Sequence, residues 1–227
     1  MRFFCSIFLS VLVLASHAQK REIDVSSFSE LSFGISGELY LTQGSREFVE
    51  IEADDDDFDK IEFYNRGGRL SIRSKERNGW RSGRMGRVRI YVTAKELDRI
   101  SVSGSGSIYG EGKFDADDLK IVVSGSGSIS LESESRDLEV RVSGSGSMEL
   151  TGSSEYAEIG ISGSGRVKAR DMTVETLDAS ISGSGSCYIT VEKEIEANIS
   201  GSGSVYYDGD PDRVINNASG SGKVRRI

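Results

Sequence analysis

A four-residue motif, Ser-Gly-Ser-Gly, recurs seven times along the chain and sets its period. The copies begin at Ser103, Ser124, Ser143, Ser162, Ser182, Ser200 and Ser219. A repeat of about 19 residues is typical of architectures in which each unit is stabilised by stacking on its neighbours. The period therefore restricts this part of the chain to a regularly stacked fold.

Apolar and polar residues alternate on both sides of each motif. Leu119, Ile121 and Val123 precede the second copy, and Ile129 and Leu131 follow it. Alternation with a period of two residues predicts β-strands. Counting in twos places both glycines of a motif on the inward side, where a side chain at a sharp bend would collide with neighbouring coils. We therefore predict an all-β fold, a parallel β-solenoid whose coils of about 19 residues turn a corner at each motif.

The same counting predicts which side chains share the core. If the coils stack in register, one inward column holds an apolar side chain from each of five successive coils. This column consists of Ile129, Met148, Val167, Cys187 and Val205. We expect the cysteine in it to behave as a small hydrophobic residue.

Both ends of the repeat are irregular. Residues 31–41 read as a shortened unit with Ser-Gly in place of the full motif, and we interpret them as the terminal coil of the stack. Residues 61–72 suggest a hairpin, and residues 75–87, which contain Trp80, suggest an exposed loop. The last repeat has Asn216 and Arg226 at positions that are apolar elsewhere, which indicates a polar capping coil.

The first 18 residues have the pattern of a signal peptide, with Arg2 before an apolar run and cleavage after Ala18. The apolar run, about 12 residues long, is too short for a membrane anchor, which needs roughly 20. We predict that residues 19–227 form a single exported domain with no transmembrane segment. The rest of the chain then holds no histidine and one cysteine, which excludes an internal disulfide. The net charge of −8 argues against nucleic acid as a partner.

The apparent export signal, the shortened first unit and the strand–Gly-Ser-Gly–strand repeats together resemble the head GIN domain family of autotransporter adhesins, exported proteins of the Bacteroidetes. The resemblance spans residues 28–208, and residues 97–106, Leu-Asp-Arg-Ile-Ser-Val-Ser-Gly-Ser-Gly, carry it best. It implies a right-handed parallel β-helix related in shape to pectate lyases, without recognisable catalytic residues. It also implies a role in adhesion.

Two outward columns are candidate sites. Four residues before successive motifs stand Glu139, Glu158, Asp178 and Glu196. In-register stacking would place these carboxylates about 4.8 Å apart. They form either a ladder for calcium, which prefers carboxylate oxygens, or a solvated acidic stripe relieved by neighbours such as Arg141.

Three residues after the motifs, Tyr188 and Tyr206 form the second candidate, with Lys168 and Arg225 beside them in the same column. Exposed aromatic and arginine side chains often carry binding energy, although tyrosines also pack against each other on strands. The column therefore predicts either a binding site for a glycan or a surface protein, or simple packing between coils.

No spacing selects a catalytic pair of carboxylates, so we predict no catalytic residues, no enzyme activity and no cofactor other than the calcium considered above. The sequence favours a non-enzymatic adhesin or surface-binding module of the cell envelope, in the periplasm, on the outer surface or secreted. Its partner would be a glycan or a host or envelope surface protein, and a homo-oligomer is compatible with the pattern. The alternative is a carbohydrate-active lyase or hydrolase on a β-helix scaffold.

Overall fold

The computed structural model describes residues 19–75 and 85–227. The predicted signal peptide and most of the arginine-rich segment around Trp80 lie outside these residues. The described chain is almost entirely β-structure and forms a β-solenoid of about seven turns with parallel stacking, as the repeat predicts. No helix in residues 19–75 or 85–227 is long and apolar enough to cross a membrane.

The described residues form sixteen strands and one short helix. In chain order these are β1 (Gln19–Glu22), β2 (Glu30–Gly34), β3 (Glu38–Gln43), β4 (Phe48–Ala53), α1 (Asp55–Phe58), β5 (Ile61–Arg66), β6 (Arg69–Ser74), β7 (Arg89–Ala94), β8 (Arg99–Gly104), β9 (Ser107–Gly125), β10 (Ser128–Gly144), β11 (Ser147–Gly163), β12 (Arg166–Gly183), β13 (Ser186–Gly201), β14 (Ser204–Asp208), β15 (Arg213–Gly220) and β16 (Lys223–Arg226). The five long strands, β9 to β13, each run through almost a whole coil.

Each coil contributes to two stacks of strands. The segments that follow the motifs form what we call the front sheet, in the order β1, β4, β7, β3, the first halves of β9 to β13, β14 and β16. The segments that precede the motifs form the back sheet, from β5 through β6, β2 and β8 to the second halves of β9 to β13 and β15. The inward side chains of both sheets share one hydrophobic core. The outer surfaces of the two sheets therefore face away from each other.

The predicted core column forms as the period requires. Ile129 pairs with Met148, Met148 with Val167, Val167 with Cys187 and Cys187 with Val205, and all five side chains are buried. Each coil therefore covers the apolar side chains of the next. Burial contributes roughly 25 cal/mol for each Å² of apolar surface removed from water, so a coil gains its stability from its neighbours.

The two glycines of a motif differ in burial and in backbone conformation, so the prediction that both point inward is wrong for the first of them. Gly146 is buried, but Gly144 is exposed and has a φ of +104°. The chain turns at the first glycine by adopting the left-handed region, so strict alternation is broken there. The corner itself is confirmed, and its first glycine is required by backbone conformation rather than by a crowded interior.

The shortened unit is not the terminal coil, and that prediction is wrong. Leu39 in β3 pairs with Ile90 of β7 on one side and with Ile108 of β9 on the other. After β3 the chain reverses through the antiparallel strands β4 and β5, then returns as β6 and β7. These two strands stack in parallel on the open edges of β2 and β3, so the shortened coil becomes internal.

The predicted hairpin is confirmed. Strands β5 and β6 pair antiparallel, and the turn between them consists of Gly67 and Gly68, with φ values of +62° and +76°. At the opposite end, Asn216 is exposed, and Arg226 pairs with Asp210 at 2.8 Å. Polar and charged side chains thus occupy the last coil, where no further coil covers them.

Cys187 should resist thiol reagents in the native protein. Its side chain is fully buried, and burial raises the pKa of the thiol to about 12, so almost no reactive thiolate is present at neutral pH. We expect labelling by a maleimide only after the protein is unfolded in denaturant, measured by mass spectrometry. Prompt labelling without denaturant would contradict the register of the core column.

Candidate binding surface

The tyrosine column lies on the outer surface of the front sheet in the predicted order. Lys168 pairs with Tyr188, Tyr188 with Tyr206 and Tyr206 with Arg225 on adjacent strands. The two tyrosine rings are stacked, with centroids 4.7 Å apart and planes 13° from parallel. These residues lie on adjacent strands because each stands three positions after its own motif.

The stacking of the two rings limits which of their surfaces a ligand can contact. The facing sides of the two rings cover each other, and the Arg170 guanidinium lies 5.6 Å from the Tyr188 centroid. A sugar ring that packs on an aromatic face needs an open face, and stacking removes the inner ones. The pair therefore presents chiefly ring edges and hydroxyl groups, which suit hydrogen bonding more than stacking on a sugar.

Further basic residues surround the column and were missed in the sequence analysis. Arg166, Lys168 and Arg170 alternate along β12, and all three side chains are exposed on the front sheet. Lys223 lies on β16, two residues before Arg225. The alternation Arg-Val-Lys-Ala-Arg was the available signal, because alternate residues of a strand share one face.

A groove of about 470 Å³ lies on this surface. Its lining includes Arg166, Lys168, Arg170 and Tyr188, with Glu149 and Asp171 as the acidic members. Glu149 reaches Lys168 at 3.8 Å, a long contact between exposed groups that is worth little. The groove thus has three cations against two carboxylates in its lining, on a chain whose net charge is negative.

A second tyrosine stack occupies the other end of the same column. Tyr40 stacks with Tyr91 at 5.3 Å and with Tyr109 at 5.7 Å between ring centroids. The Tyr40 hydroxyl donates to Glu38 at 3.3 Å, and the Tyr91 hydroxyl to Glu52 at 3.4 Å. Arg89 pairs with both of these glutamates, at 3.5 Å and 3.4 Å. The front sheet therefore carries two tyrosine stacks, and the carboxylates beside this second stack are paired with a base.

The carboxylate column lies on the back sheet. Glu139 pairs with Glu158, Glu158 with Asp178 and Asp178 with Glu196. The predicted alignment of the four carboxylates is therefore present. Glu139 and Glu158, the first two carboxylates of the column, form ion pairs with basic side chains of the same sheet.

Lys120 and Arg141 are the basic side chains that pair with these two carboxylates. Lys120 Nζ donates to Glu139 Oε1 at 2.6 Å, and Arg141 contacts both Glu139, at 3.0 Å, and Glu158. The Arg141 side chain lies across Gly160, where a Cβ would meet its Nη1 at 2.6 Å. Within the described residues no three histidine, cysteine, aspartate or glutamate side chains come together in a way that could hold a metal ion. Calcium binding stays a prediction for the Asp178 and Glu196 end.

Asp178→Asn should leave the calcium-free protein as stable as before or more so at neutral pH. Burial raises the pKa of the Asp178 carboxyl, and Glu196 and Glu158 raise it further. The ionised Asp178 carboxylate therefore lowers the free energy of unfolding at neutral pH. This loss disappears as the pH falls through the pKa of the folded state, because the carboxyl group is then protonated. Melting temperatures at several pH values should show a gain for the variant that vanishes in acid.

Calcium tests the ladder directly. A ligand that binds only the folded state raises its melting temperature by mass action, and EDTA reverses the effect. If the ladder is a calcium site, the shift should be seen in the unmodified protein and be lost in Asp178→Asn. No shift in the unmodified protein would end the metal hypothesis.

Comparison with known proteins identifies the family. Residues 27–211 match the family described as "Putative auto-transporter adhesin, head GIN domain". The chain belongs to this family. No protein of curated function matches it in sequence.

Solved structures of several bacterial proteins share the fold. A protein described as a "putative adhesin" from Bacteroides fragilis superposes with a TM-score of 0.85 at 24% identity, covering 94% of this chain and 98% of its own. A "Putative lipid binding protein" from Parabacteroides distasonis gives 0.76 at 25% identity, covering 93% and 97%. A "putative adhesin" from Parabacteroides merdae gives 0.70 at 20%, covering 93% and 96%. The head GIN chain thus has the architecture of several Bacteroides and Parabacteroides proteins.

Proposed function

We propose that this head GIN protein is an exported, non-enzymatic adhesin of the cell envelope that attaches to a surface polymer or surface protein through its front sheet. The observation that carries the proposal is the column of Lys168, Tyr188, Tyr206 and Arg225, four side chains brought into register on an exposed face. Aromatic and arginine side chains are those that most often supply interface energy.

The family supports adhesion as the general role, since its description names adhesins. Two structural neighbours described as adhesins share the fold alone, because their identities are 24% and 20%. The Parabacteroides distasonis protein, at 25% identity, is described as lipid binding, so an envelope lipid is a second class of partner to test. A partner at a cell surface is compatible with both descriptions.

Replacing both tyrosines of the column should weaken attachment. We expect Tyr188→Ser with Tyr206→Ser to lower the affinity for the ligand by roughly tenfold or more, about 1.4 kcal/mol, because the hydroxyl and ring-edge contacts are lost. Retention on immobilised cell-envelope preparations and on a glycan and host-matrix array measures the change. Circular dichroism and the melting temperature establish that the variant is folded.

Tyr109→Ser is the matched control. It removes the same side chain from the same column, but in the other tyrosine stack and away from Lys168 and Arg225, and should affect attachment less. Normal binding by the double variant would identify the pair as packing rather than recognition. Release of reducing or unsaturated sugars from a polysaccharide panel would favour the lyase or hydrolase alternative over a binding protein.

A further inference from the structure

The cations of the front sheet fall into two groups that flank the tyrosine pair. Arg166, Lys168 and Arg170 lie on β12, one strand before Tyr188, whereas Lys223 and Arg225 lie on β16, one strand after Tyr206. Three strand spacings separate Lys168 from Arg225, which is about 14 Å along the stacking axis. The site is therefore elongated, with positive charge at both ends and phenol hydroxyls between.

Most of these cations have no carboxylate partner. Within residues 19–75 and 85–227, Arg166, Arg170, Lys223 and Arg225 form no ion pair, and Lys168 has only the 3.8 Å contact with Glu149. Many other exposed bases of the described residues are paired closely, as in Lys113 with Glu134 at 2.6 Å and Lys193 with Glu175 at 2.5 Å. Arg46 and Arg66 are exposed without an ion pair in the described part of the chain as well, so the distinguishing feature of this face is that its unpaired cations are clustered. Like charges left unpaired beside one another repel, and a bound anion would relieve that repulsion.

The surface also indicates what kind of anion fits. The large apolar side chains that are exposed, Tyr64, Tyr109, Tyr156, Val214 and Ile227, all lie outside this patch. The two tyrosines of the patch are half-buried and stacked on each other, so they offer little apolar surface for insertion into a lipid layer, which interfacial membrane binding requires. The three cations and one phenol that border the groove, beside the carboxylates of Glu149 and Asp171, instead suit a hydrogen-bonding chain of anionic groups.

We propose that the ligand of this face is a linear anionic polysaccharide, sulfated or uronic, that lies along the solenoid axis and contacts both cation groups. The proposal rests on the proposed function and adds to it the ligand class, its orientation and three further residues, Arg166, Arg170 and Lys223. The cations hold the anionic groups, and the tyrosine hydroxyls bond to the chain between them.

Dextran sulfate, with unmodified dextran of equal length as the uncharged comparison, tests the ligand class. We expect the protein to bind only the sulfated polymer, with an affinity that falls as sodium chloride is raised. Lys168→Glu with Arg225→Glu should lower the affinity at least tenfold. Lys193→Glu with Arg213→Glu makes the same change in net charge at bases that already have carboxylate partners, and should leave binding nearly unchanged. Equal losses in both double variants would overturn the proposed site.

The length of a sulfated oligosaccharide tests whether the ligand lies along the solenoid axis. A sulfated hexasaccharide should bind more tightly than a sulfated disaccharide, because only the longer chain reaches both cation groups. This advantage should disappear when the whole second cation group is removed, in Lys223→Ser with Arg225→Ser, and its persistence would contradict an axial ligand. Tighter binding to phosphatidylglycerol vesicles than to dextran sulfate would overturn the polysaccharide in favour of a membrane. If Tyr188 and Tyr206 prove necessary for attachment to envelope preparations but dextran sulfate does not bind, the proposed function stands and this inference fails.

Discussion

Gly146→Val should destabilise the solenoid severely, by at least about 3 kcal/mol, or roughly 10 °C in melting temperature. A Cβ at this buried position would lie 2.3 Å from Val123 Cγ1 and 2.9 Å from the Gly127 carbonyl oxygen. Both neighbours belong to the preceding coil, which is itself held by the coil before it, so neither can move without disturbing the stack. Thermal and denaturant unfolding measure the loss.

Ser145→Val is the control, because it introduces the same side chain at the adjacent exposed position. We expect a change within about 0.5 kcal/mol there, as for most surface substitutions. Gly144→Ala should be harmful for another reason: its φ is +104°, and a Cβ would meet the Gly125 carbonyl oxygen at 2.7 Å. Equal stabilities for the valine variants at positions 145 and 146 would show that the assignment of inward and outward positions is wrong.

Asp57→Ala should have the second largest effect, a loss of about 3 kcal/mol. The buried Asp57 carboxylate accepts hydrogen bonds from Lys60 Nζ at 2.7 Å and from the Gly86 amide at 2.7 Å. It joins α1, the short helix between β4 and β5, to the residues that lead into β7. Removal takes this acceptor away from both donors. Asp56→Ala, an exposed neighbour on the same helix, should cost far less.

The pH dependence of stability distinguishes the two aspartates. Burial alone would raise the pKa of the Asp57 carboxyl, but the hydrogen bonds from Lys60 and Gly86 outweigh it and lower the pKa below its ordinary value of 3.8. The contribution of Asp57 is therefore complete above that ordinary value and is lost as the pH falls through the lower, folded pKa. Unfolding curves should show the gap between the unmodified protein and Asp57→Ala narrowing in strong acid, and a gap independent of pH would contradict this role.

The repeat made much of the binding face predictable. Tyr188 and Tyr206 stand at one offset from their motifs, and a constant period converts equal offsets into adjacent positions on neighbouring strands. The same reasoning predicted the column of four carboxylates. It also named Arg141 as a neighbour that could relieve the charge of that column. It did not predict that Arg141 contacts both Glu139 and Glu158, because the reach of a long side chain across Gly160 depends on three-dimensional geometry rather than on spacing.

The repeat is therefore sufficient to predict the solenoid, its period, the composition of its core column and the tyrosine pair. The position of β6 and β7, which stack outside β2 and β3, follows from no pattern in the sequence. This position brings Tyr91, Tyr40 and Tyr109 together although they are far apart in the chain. The physical reason is that residues 42–98 lack the motif, so no repeating frame carries their register, and two antiparallel strands reverse the order in which coils stack. Chain order predicts spatial order only where each coil is built directly on the one before it.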